Sequence, residues 1–114
     1  MELKKIIQSL DAKTITKNKE DKEIRCSGIV ASDLMSDVLV QHQEGFLLIT
    51  GLVSEQVVRT ATIVGAPVVV FVCNKKPQQK IIELAEEEGI ILLSTGLSTY
   101  QACVNLSKLM ENRG

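Results

Sequence analysis

Phe46-Leu47-Leu48-Ile49-Thr50 is an almost unbroken apolar run, and two more follow it: Val68-Val69-Val70-Phe71-Val72 and Ile90-Ile91-Leu92-Leu93. Their first residues lie 22 positions apart each time. Continuous runs this short suit strands covered on both faces, because a strand with one wet face alternates apolar and polar residues. A helical pattern follows each run: Val57, Val58, Ala61 and Val64; then Ile81, Ile82 and Ala85; then Ala102, Cys103, Leu106, Leu109 and Met110. Gly65 and Gly89 stand where helices end, while Pro67 lies just past one helix and Pro77 near the start of another. Strand and helix in alternation predict right-handed crossovers and an α/β fold: a single domain over 1–114, with a mainly parallel sheet and helices packed on its faces.

Upstream of the first run, Ile24, Gly28, Ile29, Val30 and Ala31 read as a further strand over 24–31, with Gly28 a point of bulging or close approach. Ser32 then occupies an N-cap position and Asp33 the first turn of a helix whose buried face is Leu34, Met35, Val38 and Leu39. Leu3, Ile6, Ile7 and Leu10 put one apolar stripe on an amino-terminal helix. Between them, 11–25 is polar and Lys-rich, with Thr14, Ile15 and Thr16 as a short strand inside an exposed loop region. There are no linkers, low-complexity tracts or repeats that would divide the chain.

The 114 residues are enough to bury roughly two thirds of the unfolded surface around one core. A composition of 45% hydrophobic and 24% charged residues excludes disorder as the main state. Only Phe46, Phe71 and Tyr100 are aromatic, so the core is aliphatic and there is no platform on which bases could stack. With a net charge of −1 and only a mild basic excess in 1–25, nucleic acid is not an expected partner. Cys26, Cys73 and Cys103 are odd in number, widely spaced and preceded by no signal peptide, which points to a reduced, cytoplasmic setting. No apolar run approaches the roughly 18 residues of a membrane span.

The common catalytic signatures are absent: no phosphate-binding loop, no GxGxxG, no HExxH and no GxSxG. His42, the only histidine, stands among Gln41, Gln43 and Glu44 and reads as an exposed helix end. Glu86, Glu87 and Glu88 point in different directions around a helix and cannot converge on one ion, and Cys73 reads as a core thiol. No catalytic residue, metal ligand or cofactor is therefore expected. The positions that invite a function are the carboxyl ends of the strands, where open α/β sheets place ligands. They carry Ser32 and Asp33, Thr50 and Gly51, Asn74, Lys75 and Lys76, and Ser94, Thr95 and Gly96, residue types that suit an anionic ligand and also serve caps and turns. Asp33, Thr50 and Lys75 end successive strands in the order of a receiver-domain phosphoacceptor site, but no acidic pair stands beside them to hold Mg²⁺.

Asp21, Lys22, Glu23, Ile24, Arg25, Cys26, Ser27 and Gly28, then Val30 through Val38, resemble the signature of the DRTGG domain family. Gly45 before Leu48, Ile49 and Thr50, and Glu87 to Ile90 before Ser94 and Thr95, resemble the remainder. Lys22 replaces an arginine of the family motif and Ser27 a glycine. The resemblance implies an accessory, regulatory module of the kind found beside HPr kinase/phosphorylase and some phosphate acetyltransferases, here as a free-standing copy without the kinase part. It adds Ser36 and Asp37, within its most specific stretch, to the candidate ligand-binding residues. The expected function is a non-catalytic module that binds a small anionic metabolite or docks on a partner enzyme, as a homodimer. The rivals are a small phosphoryl or acyl transferase acting through Asp33 or Lys75, and a structural adaptor without ligand.

Overall fold

The structure, a computed structural model, describes residues 1–17 and 23–111. The elements run α1 (Leu3–Leu10), β1 (Lys13–Thr14), β2 (Ile29–Ala31), α2 (Met35–Leu39), β3 (Leu47–Thr50), α3 (Glu55–Val64), β4 (Val68–Phe71), α4 (Gln79–Glu88), β5 (Ile91–Ser94) and α5 (Thr99–Glu111). They form one five-stranded sheet of order β1-β5-β4-β3-β2. Four strands are parallel, with Leu48 opposite Val30 and Val69, and Val69 opposite Leu92. β1 pairs antiparallel with β5 at one edge.

Every residue of β3, β4 and β5 is buried, and the two-residue period of the strands divides them between two cores. Leu48, Val69, Phe71 and Leu92 pack with Met35 and Val38 of α2, Val57, Val58 and Ala61 of α3, and Ile81 and Ala85 of α4. Leu47, Ile49, Val68, Val70, Ile91 and Leu93 face the other way onto Ile6 and Leu10 of α1 and Ala102 and Leu106 of α5. Three helices thus cover one face and two the other. Gly65 and Gly89 end α3 and α4 with φ of 73° each, a left-handed conformation that side chains disfavour.

The strands β2 to β5 lie side by side in chain order, without reversal. Open sheets make their deepest ligand crevice where the order reverses, so the strand ends here form a rim instead of a switch-point cleft.

Several boundaries differ from the sequence-based reading. The strand expected over 24–31 is in register with β3 only from Ile29. The Gly28 carbonyl still accepts from the Leu47 N–H, but residues 24–26 bond to the amino-terminal segment, the Leu3 N–H donating to the Ile24 carbonyl and the Cys26 N–H to the Met1 carbonyl. Gly28 is a close-approach point, where an added Cβ would come within 3.0 Å of Gln43 Oε1. The helix after it starts at Met35, with Leu34 at its N-cap position. Ser32 does not cap it; the Ser32 hydroxyl accepts from the Leu34 N–H at 3.1 Å. In this five-residue helix Met35 and Val38 are buried, whereas Leu34 and Leu39 are 58% and 45% exposed, so the expected apolar face is only half used. The short strand expected at Thr14 to Thr16 is present as β1 over Lys13–Thr14, but it joins the edge of the sheet instead of lying in an exposed loop: the neighbouring Ile15 N–H donates to the Leu92 carbonyl, and Thr16 is buried. Asp21 and Lys22 of the motif lie outside the described residues.

The carboxyl end of α1 shows how distant segments complete one another. A helix leaves its last carbonyls without intrahelical donors. Here the Thr95 hydroxyl donates to the Leu10 carbonyl at 2.6 Å and the Asn105 amide to the Ser9 carbonyl at 2.9 Å. Ser98 and Gln101 form a reciprocal pair at the start of α5, each side chain accepting from the other's backbone N–H at 3.2 Å.

Candidate functional site

Parallel pairing brings the carboxyl ends of β2, β3, β4 and β5 to one edge of the sheet, and with them most of the candidate residues. Asp33 follows β2. Its Oδ1 accepts from the Gly51 N–H at 2.7 Å and from the Thr50 hydroxyl at 3.1 Å, and Thr50 Oγ1 in turn accepts from the Leu52 N–H. Asp33 therefore reaches sideways to the end of β3 instead of standing over the first turn of α2.

Beyond β4 the chain makes an unusual turn. Cys73 and Asn74 are consecutive non-glycine residues in the left-handed region, with φ of 58° and 59°. That conformation costs about 1–2 kcal/mol per residue bearing a Cβ, less for Asn. Two bonds to the neighbouring β5 loop hold it: the Cys73 N–H donates to the Leu97 carbonyl and the Asn74 N–H to the Thr95 carbonyl, each at 2.8 Å. The turn aims successive side chains to opposite sides. Asn74 lies over Gly96, where its amide atoms would be 3.3–3.6 Å from an added Cβ; Lys75 lies over Gly51 and its Nζ donates to the Gly51 carbonyl at 3.1 Å.

Gly51 is thus gripped at both ends by opposite charges, its N–H by Asp33 and its C=O by Lys75. The two charges do not pair with each other: the ion pairs among the described residues are Arg25–Glu2 and Arg59–Glu55, both exposed. Asp33, Asn74, Lys75, Lys76 and Gly96 are exposed on this rim.

Other candidates have internal duties. Thr50, Ser94 and Thr95 are buried, and the Ser94 hydroxyl donates to the Lys75 carbonyl while that of Thr95 is spent on Leu10. Ser36 and Asp37 are exposed on α2 and take no side-chain part in this network among the described residues. His42 is exposed in the connection after α2. Glu86 accepts from the Lys17 N–H, a tether for the segment after β1, and no cluster of three potential metal ligands occurs among the described residues.

Cys73 is not the expected core thiol. The left-handed turn swings it out, and it is exposed. Cys26 is the buried one, and burial pushes its thiol up to about 11. A groove of about 420 Å³ flanks the rim between the starts of α3 and α4, lined by Val53, Ser54, Glu55, Lys76, Gln78, Lys80 and Ile81. Sequence reasoning missed it, because its lining comes from two helix starts that no pattern in the chain brings together. No helix among the described residues is long and apolar enough to cross a membrane.

The model of the DRTGG domain matches residues 5–109, and the chain belongs to that family. No curated protein matches it. Among solved structures, the CBS and DRTGG domains of the regulatory region of Clostridium perfringens pyrophosphatase, complexed with activator, diadenosine tetraphosphate, superpose with a TM-score of 0.74 at 21% identity. The match covers 91% of this chain and 45% of that one, so this chain spans less than half of that solved chain. At this identity the likeness is one of fold.

Thr95 separates structural from functional duty on the rim. Thr95→Val keeps the shape but strips the Leu10 carbonyl and the Leu97 N–H of their partner. A loss of about 1–3 kcal/mol of stability is expected in urea denaturation, the range for a buried group left unsatisfied. An unchanged midpoint would mean that the hydroxyl does not support this turn.

Proposed function

We propose that this member of the DRTGG family is a non-catalytic regulatory module that binds a small anionic metabolite at the strand-end rim. The observation that carries the reading is Lys75. Its ammonium is positioned by one bond to the Gly51 carbonyl, which leaves two of its three N–H donors for a ligand, on a rim whose turns are braced from the neighbouring strand ends. Lys75 is an exposed cation held over Gly51 by that bond. The solved relative, a regulatory region held with an activator, supports the same class of role. The candidate contacts are Asp33, Gly51, Asn74, Lys75 and Gly96, with Thr50, Ser94 and Thr95 holding the turns and Ser32, Ser36 and Asp37 at the periphery. The cytoplasm is the setting that three free thiols favour.

A thermal-shift screen against nucleotides, phosphorylated sugars and acyl metabolites tests this. Saturation at about a hundred times Kd adds roughly 2.7 kcal/mol to a binding-competent fold, on the order of 10 °C in melting temperature for a domain of this size. A flat response to every class would leave a structural adaptor. Product formed from a hit, and abolished by Asp33→Asn, would establish the transferase instead.

Self-association belongs to the same proposal. Leu34, Leu39 and Val40 around α2, and Ile63 on α3, are 45–73% exposed, and a second copy or a partner enzyme would cover such side chains. Light scattering at micromolar concentration is expected to give twice the 12.5 kDa chain mass, and a monomer throughout would contradict it.

A further inference from the structure

Gly51 has no backbone reason to be glycine: its φ is outside the left-handed region, unlike those of Gly45, Gly65 and Gly89. Nor does packing forbid a side chain. An added Cβ would stand 3.3 Å from Lys75 Nζ, the far end of a flexible side chain, and 3.6 and 3.8 Å from the two Asp33 oxygens. What the missing Cβ leaves is a gap one carbon wide, with a carboxylate on one side and an ammonium on the other. Glycine elsewhere allows a ligand to approach the backbone, and here the approach is bounded by two opposite charges.

The charges are not satisfied by each other. Both bonds that Asp33 accepts fall on Oδ1, and Oδ2 takes none among the described residues. Lys75 retains two donors. A simple anion placed over Gly51 would meet Asp33 Oδ2 and be repelled, and a simple cation would meet Lys75. A ligand that carries hydroxyl donors next to an anionic group satisfies both.

Resting on the reading of the rim as a ligand site, we propose that the gap over Gly51 takes a phosphorylated sugar, with Asp33 Oδ2 accepting from its hydroxyls and Lys75 donating to its phosphate. A free sugar phosphate and the ribose phosphate of a nucleotide share this chemistry. Asp33 is then the selectivity element, since its charge opposes a denser anion that brings no sugar hydroxyls.

Calorimetry of the full chain with ribose 5-phosphate, ADP, ribose and pyrophosphate tests it. At least one of the two phosphorylated probes is expected to bind, tenfold or more tighter than ribose or pyrophosphate; whether one or both do so separates the free sugar phosphate from the nucleotide. Asp33→Asn retains the Oδ1 acceptor that Gly51 and Thr50 use and changes only the open oxygen. It and Lys75→Met should each weaken binding at least tenfold. Gly51→Ala fills the gap and should do the same with an unchanged or raised melting temperature, because alanine restricts the unfolded chain. Pyrophosphate binding as tightly as ADP, and indifferent to Asp33→Asn, would overturn this inference while sparing the anion-binding module. Loss of binding on Lys80→Ala, with none on Lys75→Met, would overturn it by moving the site into the groove between α3 and α4. Silence from all four probes would also overturn it, and a hit of another class in the thermal screen would then show that the regulatory reading stands apart.

Discussion

The fold depends on burying both faces of β3, β4 and β5 at once. A strand of Leu47, Leu48, Ile49 and Thr50 cannot leave either face in water, so helices must lie above and below it, and crossovers are the connections that put them there. Those crossovers make the strands parallel. Parallel strands end together, so the requirement to bury aliphatic side chains also gathers Asp33, Gly51, Lys75 and Gly96 on one edge. The rim follows from the core.

That origin explains which parts of the molecule were legible in the sequence. The three central strands sit within about one residue of their apolar runs, since a doubly covered strand carries its burial in consecutive residues. Gly65 and Gly89 mark helix ends because only a residue without Cβ enters the left-handed region freely. The edge was harder to read. Ile24 to Gly28 has the composition of a strand, but its backbone bonds in part to the amino-terminal residues, and a residue-by-residue pattern does not say which neighbour a backbone finds. Leu34 and Leu39 match helical spacing and still face outward, because α2 is only five residues long.

The candidate site was legible as a set and illegible in its parts. Strand ends can be located from the strands, so the turns at Asp33, Gly51, Asn74 and Gly96 could be named together. Nothing local shows that Thr95 is committed to Leu10, 85 positions away, or that Cys73 and Asn74, neither of them glycine, take left-handed backbone. Yet that turn is what spreads Asn74 over Gly96 and Lys75 over Gly51. Strain of this kind persists only where the surroundings overdetermine it, and here the bonds to the Leu97 and Thr95 carbonyls do so. The result is a cation over a bare glycine with a carboxylate on its far side, each bonded to the Gly51 backbone.

The central claim is that this rim is where the chain meets a small ligand. Backbone amide resonances in a ¹⁵N-labelled sample, followed during titration with a compound that stabilises the protein, report the location directly. Shifts confined to residues 32–33, 50–52, 73–76 and 95–97 are the predicted result. Shifts centred on α1 and α5, or spread evenly over the chain with those turns silent, would contradict it.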